Sequence, residues 1–185
     1  MYYFEPLNKT ITYTHLGSKK AVSSKAHSDG DKYYTKSNLS NQEIDNFIRL
    51  GKLGIGIPIV KCTKSIFCDG KILMYGGISL QKILDKRMIS EAIKAVTELP
   101  QIYEILKKNN IAHCDIKPSN IVYKYERYFL IDNDDMVSFG AKRKVGTPGV
   151  NCEMYKLFGG EITDANTDYM GFKYTLNKVY ELCSQ

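Results

Sequence analysis

Three short β-prone runs, Thr10-Ile11-Thr12-Tyr13-Thr14, Ala21-Val22-Ser23-Ser24 and Lys32-Tyr33-Tyr34-Thr35, open the chain. Gly17-Ser18-Lys19-Lys20 and Ser28-Asp29-Gly30-Asp31 separate them, and turn-forming residues between such runs predict a three-stranded meander. The period then changes. From Ser40 to Leu53 the apolar positions Ile44, Phe47, Ile48 and Leu50 recur at helical spacing. Ser40 stands three residues before Glu43, the signature of a capping box, and Gly51 and Gly54 end the helix. Ile57-Pro58-Ile59-Val60-Lys61-Cys62, Ser65-Ile66-Phe67-Cys68 and Lys71-Ile72-Leu73-Met74-Tyr75 read as two further strands around a Cys68-Asp69-Gly70 turn, completing a five-stranded sheet.

After the Gly76-Gly77 pair the pattern becomes mainly helical, with helices expected over Ser79 to Leu84 and Ser90 to Asn109. In the longer one Ile93, Val96, Leu99, Ile102, Tyr103, Ile105 and Leu106 form the expected apolar face. Glu91 near its start and Lys107-Lys108 near its end complement the helix dipole, and Pro100 falls inside it as a candidate kink. Ile121-Val122-Tyr123 and Tyr128-Phe129-Leu130-Ile131 predict a hairpin, and Thr167 to Leu176 a further helix.

Composition narrows the class without changing this picture. The chain has 185 residues, 43% hydrophobic and 25% charged, an ordinary globular balance for one domain or two small lobes. Its formal charge of +6 favours ATP, acidic peptides or nucleic acid as partners. The only basic cluster is Ala141-Lys142-Arg143-Lys144-Val145, with no aromatic interleaving, so nucleic acid is not the expected partner. The five cysteines, at positions 62, 68, 114, 152 and 183, include no C-x-x-C pair, which argues against a zinc site and a disulfide framework. Reduced thiols, no leader-like N-terminus and no apolar run of the roughly 20 residues a membrane span needs give an expected cytoplasmic or nuclear setting. Richness in Lys, Asn, Ile and Tyr points to an AT-rich genome, such as that of a virus or other parasite.

Chemistry concentrates in Ile111-Ala112-His113-Cys114-Asp115-Ile116-Lys117-Pro118-Ser119-Asn120, followed shortly by Phe129-Leu130-Ile131-Asp132. A Pro-containing loop between a helix and a strand can converge Asp115, Lys117 and Asn120 on one point. Phosphoryl transfer needs a carboxylate to orient the attacking hydroxyl, a cation beside the transferred group, and hard oxygens for Mg²⁺. Asp115, Lys117, and the pair Asn120 with Asp132 match those needs in order. Asp, Pro, Ser and Asn all favour ordinary turns as well, so the assembled string carries the signal.

That string resembles the His-Arg-Asp-Leu-x-x-x-Asn catalytic loop of eukaryotic-type Ser/Thr protein kinases, with Cys114 in place of the arginine. The resemblance implies an α+β, two-lobed fold. Its small lobe of residues 1–77 would hold a five-stranded antiparallel sheet, and its mostly helical lobe, 78–185, would lack the family's last helices. ATP would bind between the lobes with Mg²⁺. Asp115 and Lys117 would be catalytic, and Asn120 and Asp132 would hold the metal and the nucleotide. Leu16-Gly17-Ser18-Lys19-Lys20-Ala21-Val22 resembles the Gly-rich phosphate loop in position, with Gly17 as its one glycine. Tyr33-Tyr34-Thr35-Lys36 resembles the strand whose lysine pairs with the α and β phosphates. Glu43 then has two readings, the capping-box acceptor or the partner of Lys36. Tyr75-Gly76-Gly77-Ile78-Ser79-Leu80 resembles the hinge that holds the adenine edge, with Met74 at the back of the pocket.

Other positions divide the substrate classes. Asp132-Asn133-Asp134-Asp135 replaces the family's Asp-Phe-Gly, and Ile-Asp-x-Asp-Asp also resembles small-molecule phosphotransferases. Gly146-Thr147-Pro148-Gly149 followed by Glu153 resembles a protein kinase segment instead, where Thr147 would bond Asp115 and Lys117 or simply turn the chain with Pro148. Cys114 removes the arginine that pairs with an activation-segment phosphate, so no phosphorylation switch is expected. Asp168, on a helix capped by Thr167, would brace the catalytic loop. The resemblance implies a protein kinase acting on a protein substrate. A pseudokinase that modulates a partner kinase, or a small-molecule phosphotransferase, would share most of these residues.

Overall fold

The computed structural model describes residues 11–13, 22–26, 32–64, 70–133, 136–138 and 164–184. The chain divides into two compact units, Met1–Gly77 and Ile78–Gln185. In the first, β1 (Ile11–Tyr13), β2 (Val22–Ala26), β3 (Lys32–Leu39), β4 (Ile59–Thr63) and β5 (Gly70–Tyr75) form one antiparallel sheet in the order β1-β2-β3-β5-β4. This is the expected meander extended by the two later strands. Residues 65–69, part of the expected fourth and fifth strand region, lie outside the described residues.

Helix α1 (Asn41–Lys52) begins where the capping box places it. Ser40 Oγ accepts the Glu43 N–H at 3.2 Å, and Glu43 Oε2 accepts the Ser40 N–H at 2.7 Å. Two of the backbone donors that a helix start leaves without helical partners are thereby satisfied. Ile44, Phe47 and Leu50 are buried, the face the periodicity predicts. After the cap at Leu53 the chain turns through Gly54 at φ +71°, a left-handed conformation glycine adopts without steric cost. Cross-strand partners point to one face of a sheet, so Lys36 opposite Ile72 and Tyr34 opposite Met74 lie on the same side.

In the second unit, β6 (Ile78–Ser79) runs into α2 (Leu80–Asp85), whose first turn is capped by Ser79 Oγ accepting the Lys82 N–H at 3.3 Å. Helix α3 spans Ile89–Lys108 and continues through Pro100. Its buried residues are Ala92, Ala95, Leu99, Ile102 and Leu106, while Ile93 is 53% exposed. The packed seam is therefore rotated about one position from the face expected at Ile93 and Val96. Two alanines, rather than the larger neighbours, face inward at the helix's first turns.

β8 (Ile121–Lys124) and β9 (Arg127–Leu130) form the expected hairpin, and β6 adds a third strand on the β8 side. Tyr128 ties this hairpin to α3. Its N–H donates to the Glu98 carboxylate and its hydroxyl to the Glu91 carbonyl, both at 2.8 Å. Burial of the phenol pushes its pKa well above the usual tyrosine range. A second small sheet pairs β7 (Ile111–Ala112) with β10 (Val137–Ser138). Helix α4 covers Asp164–Cys183, so Thr167 lies inside its first turn and is not its cap. The helix starts upstream of the expected position because Asp164, Ala165 and Asn166 already continue it.

Phe172, Thr175, Val179 and Leu182 on α4 are buried at three- and four-residue spacing, and Phe172 meets Tyr103 of α3 with ring centroids 5.4 Å apart. Gly171 faces the loop after β7. A Cβ there would stand 2.5 Å from the Ile116 carbonyl oxygen and 2.7 Å from Ile116 Cβ. Gly171→Ala is expected to lower stability by about 1–3 kcal/mol through overpacking, read as a lower denaturation midpoint. An unchanged midpoint would show that the helix and loop can separate without cost.

Candidate active site

The loop from His113 to Lys117 leaves β7, passes through a 3₁₀ turn at Pro118–Asn120 and enters β8. Pro118 suits the first position of that turn because its missing N–H is not needed there. The loop's backbone is held from α4. Asp168 is fully buried, and its two carboxylate oxygens accept the His113 N–H and the Cys114 N–H, each at 2.7 Å. Bonds from backbone N–H groups to a carboxylate are charge-assisted and correspondingly strong. They hold Cys114 at φ +68°, a conformation that costs a residue with a Cβ on the order of 1–2 kcal/mol. The Cys114 side chain is buried, with Sγ 3.7 Å from the Ala112 carbonyl oxygen.

The backbone turn at Cys114 presents Asp115. Two donors converge on its Oδ2, Lys117 Nζ at 2.8 Å and Asn120 Nδ2 at 2.7 Å. Asn120 Nδ2 also reaches the Asp115 carbonyl at 3.0 Å. The Asp115 and Lys117 side chains are 15% and 21% exposed, accessible yet partly shielded from water. Asn120 is buried, and its carbonyl accepts the Ile131 N–H at 3.0 Å, which fixes the end of β9 beside the loop. Asp132 follows at φ +64°. The structure thus brings Asp115, Lys117 and Asn120 into mutual contact and attaches the Asp132 segment to them through backbone.

The remaining sequence candidates are in the first unit. Lys36 is buried, with Nζ 5.5 Å from the Phe47 ring centroid, within range of a cation–π contact. Glu43 closes the capping box. Met74 is buried, and the Tyr75 ring lies 5.0 Å from that of Tyr33. Gly17 and the segment from Lys144 to Glu153, including Thr147, lie outside the described residues.

Three residues at the site had no role from sequence alone. His113 is fully buried and bonds on both ring nitrogens, Asn133 is buried beside it, and Gly171 permits the close approach of α4. The motif string marked His113 only as a letter in a pattern. Asn133 registered only as the loss of a phenylalanine, because nothing in the sequence shows that its amide turns inward.

No family model matches the chain. An alignment 94 positions long, covering 46% of the chain, is 34% identical to ribosomal protein S6 kinase alpha-6 of Mus musculus and spans 12% of that protein. Ribosomal protein S6 kinase alpha-2 of Homo sapiens is 32% identical over 94 residues, again 46% of this chain and 12% of the relative. The chain therefore corresponds to about an eighth of these curated relatives' length. The fold resembles the structure of the Cydia pomonella granulovirus kinase PK-1, with a TM-score of 0.68 and 18% identity, covering 98% of this chain and 68% of that one. The chain thus has the α+β fold of that kinase, and somewhat less than half of it is similar in sequence to the ribosomal protein S6 kinases.

Proposed function

We propose that the protein transfers the γ-phosphoryl group of ATP to a serine or threonine hydroxyl of a protein substrate, with Mg²⁺. The observation that carries this reading is the convergence of Lys117 Nζ and Asn120 Nδ2 on Asp115 Oδ2, on a loop braced by the buried Asp168. Two cationic or amide donors hold the carboxylate in one orientation, where it can accept a hydrogen bond from an incoming hydroxyl. Lys117, two residues beyond Asp115 as in the Ser/Thr class, would neutralise charge on the transferred group. Lys36, with Glu43, would serve the α and β phosphates, Met74 and Tyr75 the adenine, and the backbone at Gly17 the phosphates.

The donor set suits a hard divalent cation. Asn120 commits its amide nitrogen to Asp115, so its side-chain oxygen Oδ1 is the atom that would meet a cation, and Asp132 would supply a carboxylate from the segment that the Asn120 backbone carbonyl holds at Ile131. Among the described residues no three His, Cys, Asp or Glu side chains cluster as a metal site. One carboxylate and one amide fit Mg²⁺, which is commonly held by one or two carboxylates, substrate phosphates and water. When bound, the ion would neutralise phosphate charge as it develops.

Acceptor class tests the proposal. With γ-labelled ATP and Mg²⁺, label is expected in phosphoserine or phosphothreonine of a generic basic protein or of the chain itself. Label found only in small hydroxyl compounds would replace the reading with a small-molecule phosphotransferase. ATP binding without transfer to either would favour a pseudokinase acting on a partner.

A further inference from the structure

We propose that Asn133 is a positioning residue that ties the Asp132 segment to the catalytic loop through the His113 ring. The inference rests on the reading of Asp132 as a metal-holding residue. It starts from the hydrogen bonds of one buried imidazole. His113 Nδ1 lies 3.3 Å from the Asp115 N–H, which can only donate, so Nδ1 carries the lone pair. In the neutral ring the proton is then on Nε2. Both of that nitrogen's neighbours accept: the Ile131 carbonyl at 3.1 Å and Asn133 Oδ1 at 3.1 Å. The same reasoning fixes the Asn133 amide, because its nitrogen turned toward Nε2–H would set two donors against each other.

The position of these bonds gives them their consequence. Ile131 and Asn133 flank Asp132, whose backbone is in the left-handed region at φ +64°. His113 therefore holds the residue on each side of Asp132 from one ring nitrogen, and the other nitrogen receives the N–H of Asp115. Asn133 and His113 are both fully buried, so the link forms inside the packed unit and not in water. A left-handed aspartate between two anchored neighbours has a fixed Cα–Cβ direction, and its carboxylate extends from that fixed point. Groups that hold a metal are commonly oriented by such outer partners.

The first readout requires no activity. The chain has three histidines, and a His113→Ala variant identifies the His113 ring signals in ¹⁵N-histidine NMR of the full chain. The expected wild-type spectrum shows a neutral ring protonated on Nε2, with that proton slow to exchange. In Asn133→Leu, which keeps the number and branching of side-chain heavy atoms and removes the acceptor, the Nε2 signal and the Asp132 amide signal should both shift. A ring protonated on Nδ1, or signals unchanged in Asn133→Leu, would overturn the proposal. Should Asn133→Leu fail to fold, Asn133→Ala, which removes the same acceptor without added bulk, replaces it in both readouts.

The second readout separates positioning from a general loss of structure. In Asn133→Leu the Mg²⁺ concentration for half-maximal transfer should rise about tenfold while KM for the protein acceptor stays near wild type. An unchanged Mg²⁺ requirement would overturn the positioning role. If wild-type protein transfers no phosphate, the kinase reading fails while the NMR result still decides the Asn133–His113 link.

Discussion

If the proposed reading holds, replacing Asp115 by Asn is expected to lower the rate of phosphoryl transfer by about 10²–10⁴-fold and to leave ATP affinity close to wild type. The substitution keeps the size of the side chain but removes the charge that Lys117 Nζ and Asn120 Nδ2 meet at Oδ2. An amide offers one acceptor oxygen where the carboxylate offers two, so it cannot hold both donors and an incoming hydroxyl equally well. The loss should appear in kcat, because the group is proposed to act on the acceptor hydroxyl and not on the nucleotide. Steady-state kinetics with ATP varied, together with direct nucleotide titration, check this. A variant with full turnover would remove Asp115 from its proposed role.

Asp168→Ala should be the most damaging single change to the second unit, lowering stability by about 3–5 kcal/mol. The estimate follows from two charge-assisted bonds, to the His113 and Cys114 N–H groups, lost together inside a packed region. Both donors would be left buried, and the left-handed turn at Cys114 would lose the contacts that hold it. Denaturant unfolding gives the size of the loss. Amide exchange locates it: protection should fall first at His113 and Cys114. Unchanged protection there would mean that the loop is held by its own packing.

Much of this arrangement was legible in the chain because it is written in local patterns. The capping box at Ser40 and Glu43 marks the start of α1, and alternating runs divided by Gly and Asp residues mark the meander. The spacing of Asp115, Lys117 and Asn120 foretold that they could meet, and Asp168 could be placed beneath the loop through the family resemblance. What escaped depends on distant packing. The rotation of the α3 seam onto Ala92 and Ala95 follows from how closely its neighbours approach, which periodicity does not encode. The short β7–β10 pair joins residues more than twenty positions apart. Gly171 and Asn133 acquire meaning only when Ile116 and His113 are seen against them.

One measurement bears most directly on the account: γ-phosphate transfer from ATP and Mg²⁺ to a generic basic protein and to the chain itself, with wild type and Asp132→Ala compared side by side. The account predicts transfer by the wild type and its loss in the variant, with the variant still folded. Transfer that persists undiminished in Asp132→Ala, or no transfer by a wild type that binds ATP, would contradict it.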